Sequence, residues 1–219
     1  MKKGEKLAII GRTGSGKTTV ADLLVRLYDS TEGVIEIDGK DIKKIDLANL
    51  RKRVGYVPQD VFLFSDSISK NVQFGRSETT QKQVEAFAKY AAVHKDIIEL
   101  PEKYETLVGE RGVTLSGGQK QRVSIARALI KEPDIVILDD CLSAVDTNTE
   151  KQILNYFDTA LANKTAIIIT HRIYGLLAFD KIIVLDDGKI TEEGTHEELI
   201  AMKGYYFDLF EKQSREEDV

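Results

Sequence analysis

Gly11-Arg12-Thr13-Gly14-Ser15-Gly16-Lys17-Thr18 constrains this chain more than any other stretch, because the pattern G-x-x-x-x-G-K-[ST] belongs between a buried strand and a helix start. The neighbours suit it. Leu7 to Ile10 is an apolar run of strand length, and a segment of helical spacing follows Lys17. In that setting the glycines let backbone N–H groups turn inward around an anion, and the helix N-terminus adds its dipole. Lys17 supplies a positive charge for β- and γ-phosphates, and Thr18 offers Mg2+ a hydroxyl. Gly11 to Thr19, with Arg12, Thr13, Gly14, Ser15 and Gly16 between them, is therefore the candidate phosphate cradle. By itself the motif does not separate ATPases from GTPases or small-molecule kinases.

Such a cradle has to be local, because the chain has no general attraction for phosphate: 219 residues carry a formal net charge of -5. Nucleic acid is not an expected partner. With 42% hydrophobic and 31% charged residues the composition is that of an ordinary globular domain. Strand-sized apolar runs at Leu7–Ile10, Val34–Ile37, Val54–Val57, Ile135–Leu138, Ala166–Ile169 and Lys181–Leu185 alternate with helical segments, the pattern of an α/β fold with a mainly parallel sheet. All are far shorter than the ~20 residues that cross a bilayer. Asp38-Gly39 and Asp187-Gly188 predict hairpins at the periphery of the sheet. Between Asp60 and Glu132 the strand signal vanishes, while Thr79–Ala92 and Gly118–Leu129 have helical spacing. The expected organisation is one domain, with an α/β core over 1–59 and 132–219 and a helical insertion over 60–131. Cys141 is expected to be a small packed residue, and Gln213 to Val219 are polar enough to fray. Met1 to Glu5 has no long apolar segment behind it, so no signal peptide is expected.

Ile135-Val136-Ile137-Leu138-Asp139-Asp140 reads as a buried strand ending in two carboxylates at the edge where α/β sheets hold their ligands. Asp139 is the candidate Mg2+ carboxylate beside Thr18. Shortly before that strand, Leu115-Ser116-Gly117-Gly118-Gln119 reads as a Ser-capped, glycine-rich helix start.

The order of these three motifs over essentially the whole chain resembles that of the ABC ATPases. The resemblance implies a P-loop NTPase (RecA-like) core with a mainly parallel sheet, a small antiparallel β part and an inserted helical subdomain. It makes Leu115 to Gln119 the signature, Gln59 after Val57-Pro58 the Q-loop glutamine and a metal ligand, and His171 after Ile169-Thr170 the switch histidine. Ser143-Ala144-Val145-Asp146 resembles the D-loop. In the family two domains pack head to tail, each ATP lying between one cradle and the other domain's signature, so hydrolysis of Mg-ATP requires a second nucleotide-binding domain. Phosphoryl transfer needs mainly positioning and charge neutralisation.

Thr106-Leu107-Val108-Gly109-Glu110-Arg111-Gly112 resembles the exporter element that touches the coupling helices of the transmembrane domains. Phe62-Leu63-Phe64-Ser65, with Ile68 and Asn71, is exporter-like too, and is expected also to pack the helical insertion. An exporter domain on the cytoplasmic face of the cell's inner membrane is the implied setting. An importer subunit would lack the Thr106–Gly112 element, and a soluble ABC factor would need a second cassette or coiled-coil arms.

Two departures from the pattern stand out. The family's adenine-stacking aromatic lies on a strand well upstream of the cradle, yet ten residues precede Gly11 here, so the domain is expected to be cut from a longer chain. Tyr28 is expected to pack near the sheet instead of stacking on adenine. Asp140 stands where the family has a catalytic glutamate. The lost methylene withdraws the carboxylate by roughly 1.3–1.5 Å, and misplacement by about 1 Å can cost on the order of 100-fold in rate. That substitution resembles the slow site of heterodimeric exporters, whose other chain has Glu. Lys17→Ala removes the charge-assisted phosphate contact and should weaken ATP binding strongly in a calorimetric titration.

Overall fold

The computed structural model describes residues 1–109, 114–146, 148–150, 152–154, 164–173 and 179–217. Among these, β1 (Lys6–Gly11) lies inside a six-stranded sheet of order β4-β5-β6-β1-β7-β8. β4 (Val54–Val57), β5 (Ile135–Asp139), β6 (Thr165–Ile169) and β7 (Lys181–Asp186) run parallel to it. Parallel strands are covered by helices on both faces, which is why these five read as largely apolar runs, β4 at the sheet's edge included. β8 (Lys189–Gly194) pairs antiparallel with β7 through the Asp187-Gly188 turn. Its sequence, Lys-Ile-Thr-Glu-Glu-Gly, is mostly exposed and gives no apolar signal.

The period-two alternation of the strands divides the core. Ala8, Ile10, Val136, Leu138, Ala166, Ile168, Ile182 and Val184 face one side, and Ile9, Ile137, Ile167, Ile169, Ile183 and Leu185 the other. The second side is covered by α1 (Lys17–Leu24) and α2 (Leu47–Arg53), through Ala21 and Leu50. On the first side lie α3 (Ile68–Gln73), α4 (Gln81–Tyr90), α5 (His94–Glu99) and α6 (Gly117–Leu129), the described helices between β4 and β5. They share one hydrophobic cluster with the sheet, because α6 buries Val123, Ile125, Ala126 and Ala128 against both. The last described elements are α7 (His196–Met202) and α8 (Tyr205–Glu217).

Several expectations change. The strand over Val34–Ile37 shrinks to β2 (Glu36–Ile37), paired with β3 (Lys40–Asp41), and Val34 is 65% exposed. Apolar character alone makes no strand without a partner to bond it. The Asp38-Gly39 turn itself forms, with φ of 53° and 70°. Tyr28 is 67% exposed, so it is not packed near the sheet. Phe62 and Phe64 are exposed and cluster with Phe74, while only Leu63, Ile68 and Asn71 of that run turn inward. Gln213 to Glu217, expected to fray, continue α8, with Gln213 hydrogen-bonded to residues 171 and 173, and 218–219 lie outside the described residues. Cys141 is buried, as its surroundings predict.

Ile125 has no exposed surface and stands where α6 meets the rest of the core. Ile125→Ala should cost about 2–5 kcal/mol in chemical unfolding. Ile190→Ala on the exposed edge should change stability by less than about 0.5 kcal/mol.

Candidate nucleotide site

The cradle begins where β1 passes β7. A Cβ on Gly11 would stand 2.1 Å from the Leu185 carbonyl oxygen, so only glycine lets the chain turn there. The loop is pinned by Ser15 N–H donating to Arg12 O (3.1 Å) and Gly188 N–H donating to Ser15 O (3.1 Å). α1 then starts on Gly16 with no side chain capping it, so its first amides remain for a ligand. Lys17 Nζ donates to Gly11 O and Arg12 O, both at 2.8 Å. Burial holds the Lys17 ammonium below its ordinary pKa, opposed by the charges of Asp140 and Asp139.

The ends of β5 and β6 close the opposite wall. Asp139 is 1% exposed, Thr18 hydrogen-bonds its carboxylate, and its Oδ2 has no hydrogen-bond partner. Burial pushes this carboxyl above the usual range against the Thr18 bond, with Asp140 and Asp22 adding to the rise and Lys17 opposing it. An orphaned buried carboxylate oxygen costs free energy unless a cation or donor meets it. That oxygen beside a threonine hydroxyl fits a hard divalent ion completed by phosphate oxygens. Among the described residues no group of three His, Cys, Asp or Glu side chains could hold a metal.

Asp140 has φ of 44°, and its N–H donates to Ile169 O at 2.8 Å. Its Oδ1 meets His171 Nδ1 at 2.9 Å. That hydrogen bond is the main reason the His171 pKa lies above its ordinary value, against the opposing effect of burial. With Nδ1 engaged, Nε2 is the imidazole nitrogen left for a ligand.

Gly11, Thr13, Gly14, Gly16, Lys17, Thr18, Thr19, Gln59, Asp139, Asp140 and His171 line one cavity of about 300 Å³. Thr170 and Ile169 complete the lining. Arg12 and Ser15 do not line it: Arg12 stacks over Tyr205 at 5.6 Å, and Ser15 is buried with an unbonded hydroxyl. Arg127 of α6 secures the chain after Gln59, donating to Phe62 O (2.8 Å) and to Asn71 O and Oδ1 (2.9 and 2.8 Å).

The residues from Leu115 to Gln119 lie outside this lining. Ser116 caps α6 by accepting from Gln119 N–H at 3.2 Å, and Gln119 Oε1 accepts from Ser116 N–H at 3.0 Å. Leu115 is buried, whereas Ser116 and Gly117 are exposed. A Cβ on Gly118 would stand 2.6 Å from Ala144 O, and Gln121 Oε1 accepts from Ala144 N–H at 3.2 Å. The Ser143–Asp146 stretch is thus laid directly on the start of α6. On its other side, Arg172 donates to Ser143 O and Val145 O and pairs with Glu150. Arg172 escaped the sequence reading because its partners lie more than twenty residues away and no local pattern marks it. Of the Thr106–Gly112 element, Thr106 to Gly109 are described, joined to the preceding helical region by the Ser67–Leu107 bridge, and 110–112 lie outside the described residues.

A profile of the ABC transporter family matches residues 1–143. The chain belongs to the ABC transporter family. Heavy metal tolerance factor 1 of Caenorhabditis elegans is 44% identical to this ABC domain over 214 residues, 98% of this chain and 27% of that protein. ATP-binding cassette sub-family B member 6 of Homo sapiens is 44% identical over 215 residues, 98% of this chain and 26% of that protein. A solved bacterial Atm1-family ABC exporter with ATP bound matches with a TM-score of 0.93 and 44% identity, over 96% of this chain and 37% of that one. The ABC domain thus spans well under half the length of these relatives, and no described helix is long and apolar enough to cross a membrane.

The His171–Asp140 pair has a pH signature. A raised folded-state pKa stabilises the fold fully below the unfolded pKa and loses that contribution as pH rises through the folded value. The stability gap between the unaltered chain and Asp140→Asn should therefore be largest under mildly acidic conditions and shrink above neutrality, as unfolding midpoints across pH would record.

Proposed function

We propose that this chain is the ATP-hydrolysing domain of a membrane exporter, working as one half of a head-to-tail pair. The observation that carries the reading is the separation of its motif residues into two groups. The cradle, Gln59, Asp139, Asp140 and His171 share one cavity, while Ser116 and Gly117 open a helix outside it with their surfaces exposed. A second domain turned head to tail supplies the missing helix start to each cavity.

Lys17 and the uncapped amides of α1 offset the charge of the β- and γ-phosphates. Thr18, Gln59 and Asp139 would hold Mg2+, whose charge would further neutralise those phosphates. His171, steadied by Asp140, directs Nε2 toward the γ-phosphate. Transmembrane domains dock through coupling helices beside Thr106–Gly112, where Leu107 and the Phe62–Phe64–Phe74 cluster offer exposed apolar surface. This puts the domain on the cytoplasmic face of the cell's inner membrane.

The partner in this reading is a different chain with Glu at the position of Asp140. The short Asp140 carboxylate already accepts the His171 bond and is poorly placed to orient water as well. Its own cavity is then the slow site, and its signature serves the faster one. Asp140→Asn should leave steady-state ATPase of the assembled transporter within about twofold, whereas Gly117→Asp, placing a charge against the partner's γ-phosphate, should nearly abolish it. Equal loss in both variants, with Asp140→Glu speeding turnover, identifies a homodimer in which Asp140 is the base.

A further inference from the structure

The segment that carries His171 is gripped from outside the cavity. Gln213 of α8 uses both ends of its amide: Nε2 donates to His171 O at 2.6 Å, and Oε1 accepts from Ile173 N–H at 2.9 Å. The two bonds straddle Arg172 as a neighbouring strand would, so one planar group fixes both the position and the rotation of this backbone. Inside the bracket, Arg172 N–H is turned back to Thr170 Oγ1 at 3.0 Å, and Ile173 is fully buried. The imidazole itself is half exposed, with Asp140 its side-chain partner. Its placement therefore depends on its backbone, which Gln213 holds from α8 while the Arg172 side chain and the Thr170 N–H bond to Ile9 O hold it from the other elements. The same helix reaches the cradle too, since the Tyr205 ring lies beneath the Arg12 guanidinium.

We propose that Gln213 is a positioning residue for His171, so that α8 sets where the imidazole stands relative to the γ-phosphate. The proposal rests on the reading of His171 as the γ-phosphate contact. Gln213 touches no reacting atom, and its effect should appear in turnover and not in nucleotide capture. The cradle that binds ATP is built on β1 and α1, whose loop is pinned by its own bonds and by Gly188. An error of about 1 Å at a reacting group can cost on the order of 100-fold.

Gln213→Met keeps side-chain length and helix propensity while removing both hydrogen bonds. In the assembled transporter, single-turnover hydrolysis of the ATP held in this chain's own cavity should slow about tenfold with its affinity there unchanged within about twofold, the split expected when only transition-state alignment is lost. Hydrogen exchange at the Ile173 amide should accelerate. Gln213→Glu, which keeps the acceptor for Ile173, should lose less. Added to His171→Ala, Gln213→Met should cost nothing further, because a residue that acts through the imidazole has no effect once it is gone. A further loss in that background, an unaltered single-turnover rate in the single variant, or unaltered exchange at Ile173 overturns the role of Gln213. A normal single-turnover rate in this cavity in His171→Ala alone is a different result, and it overturns the reading of the histidine itself.

Discussion

Everything at the site depends on how closely β1 and β7 approach at Gly11. The Leu185 carbonyl occupies the space a side chain would need, and that contact forces the chain to leave the sheet at this point. Because β5 and β6 run parallel to β1, their ends come to the same edge, and Asp139, Asp140, Thr170 and His171 arrive beside the cradle without any loop having to reach for it. The register is carried into the loops by backbone bonds, Asp140 N–H to Ile169 O and Thr170 N–H to Ile9 O. The carboxylates are thus placed by a rigid strand, which holds a site more tightly than a flexible connection does, and the histidine stands two residues beyond another strand, where Gln213 grips its backbone.

The helices between β4 and β5 have no separate core. α6 joins them to the sheet and anchors three segments at once: the chain after Gln59 through Arg127, the Ser143–Asp146 stretch through Gly118 and Gln121, and α5 through Arg122 and Gln119 paired with Asp96. A movement of α6 is felt in all of them, since packed interiors transmit displacement instead of absorbing it.

Burial on both faces made the parallel strands legible in the sequence, for β1 and β4 to β7 are apolar at nearly every position. β8 was legible only through the Asp187-Gly188 turn that announces its hairpin, because its own side chains stay polar. The cavity residues could be named from short motifs, each of which needs a particular group at a fixed backbone turn. What ties those groups together could not. His171 meets Asp140 across 31 positions and Gln213 meets His171 across 42, and no periodicity links residues so far apart. Tyr28, Phe62 and Phe64 illustrate the opposite error, since an aromatic residue says that surface is available for burial and not whether this chain itself covers it.

The helix starts differ in one respect with a thermodynamic consequence. α2, α3, α4, α6 and α7 begin on Asp46, Ser67, Thr80, Ser116 and Thr195, each of which receives a backbone amide on its side chain, whereas α5 begins on Val93 and α1 on Gly16 without such a cap, and Gly16 lines the cavity. Phosphates held in the cavity would supply the cap that the sequence omits at α1. A ligand that finishes a helix stabilises the folded state by mass action, about 2.7 kcal/mol at a hundredfold excess over its dissociation constant. Such a domain carries its fuel as a structural part, and the melting temperature of the protein becomes a gauge of how much ATP surrounds it.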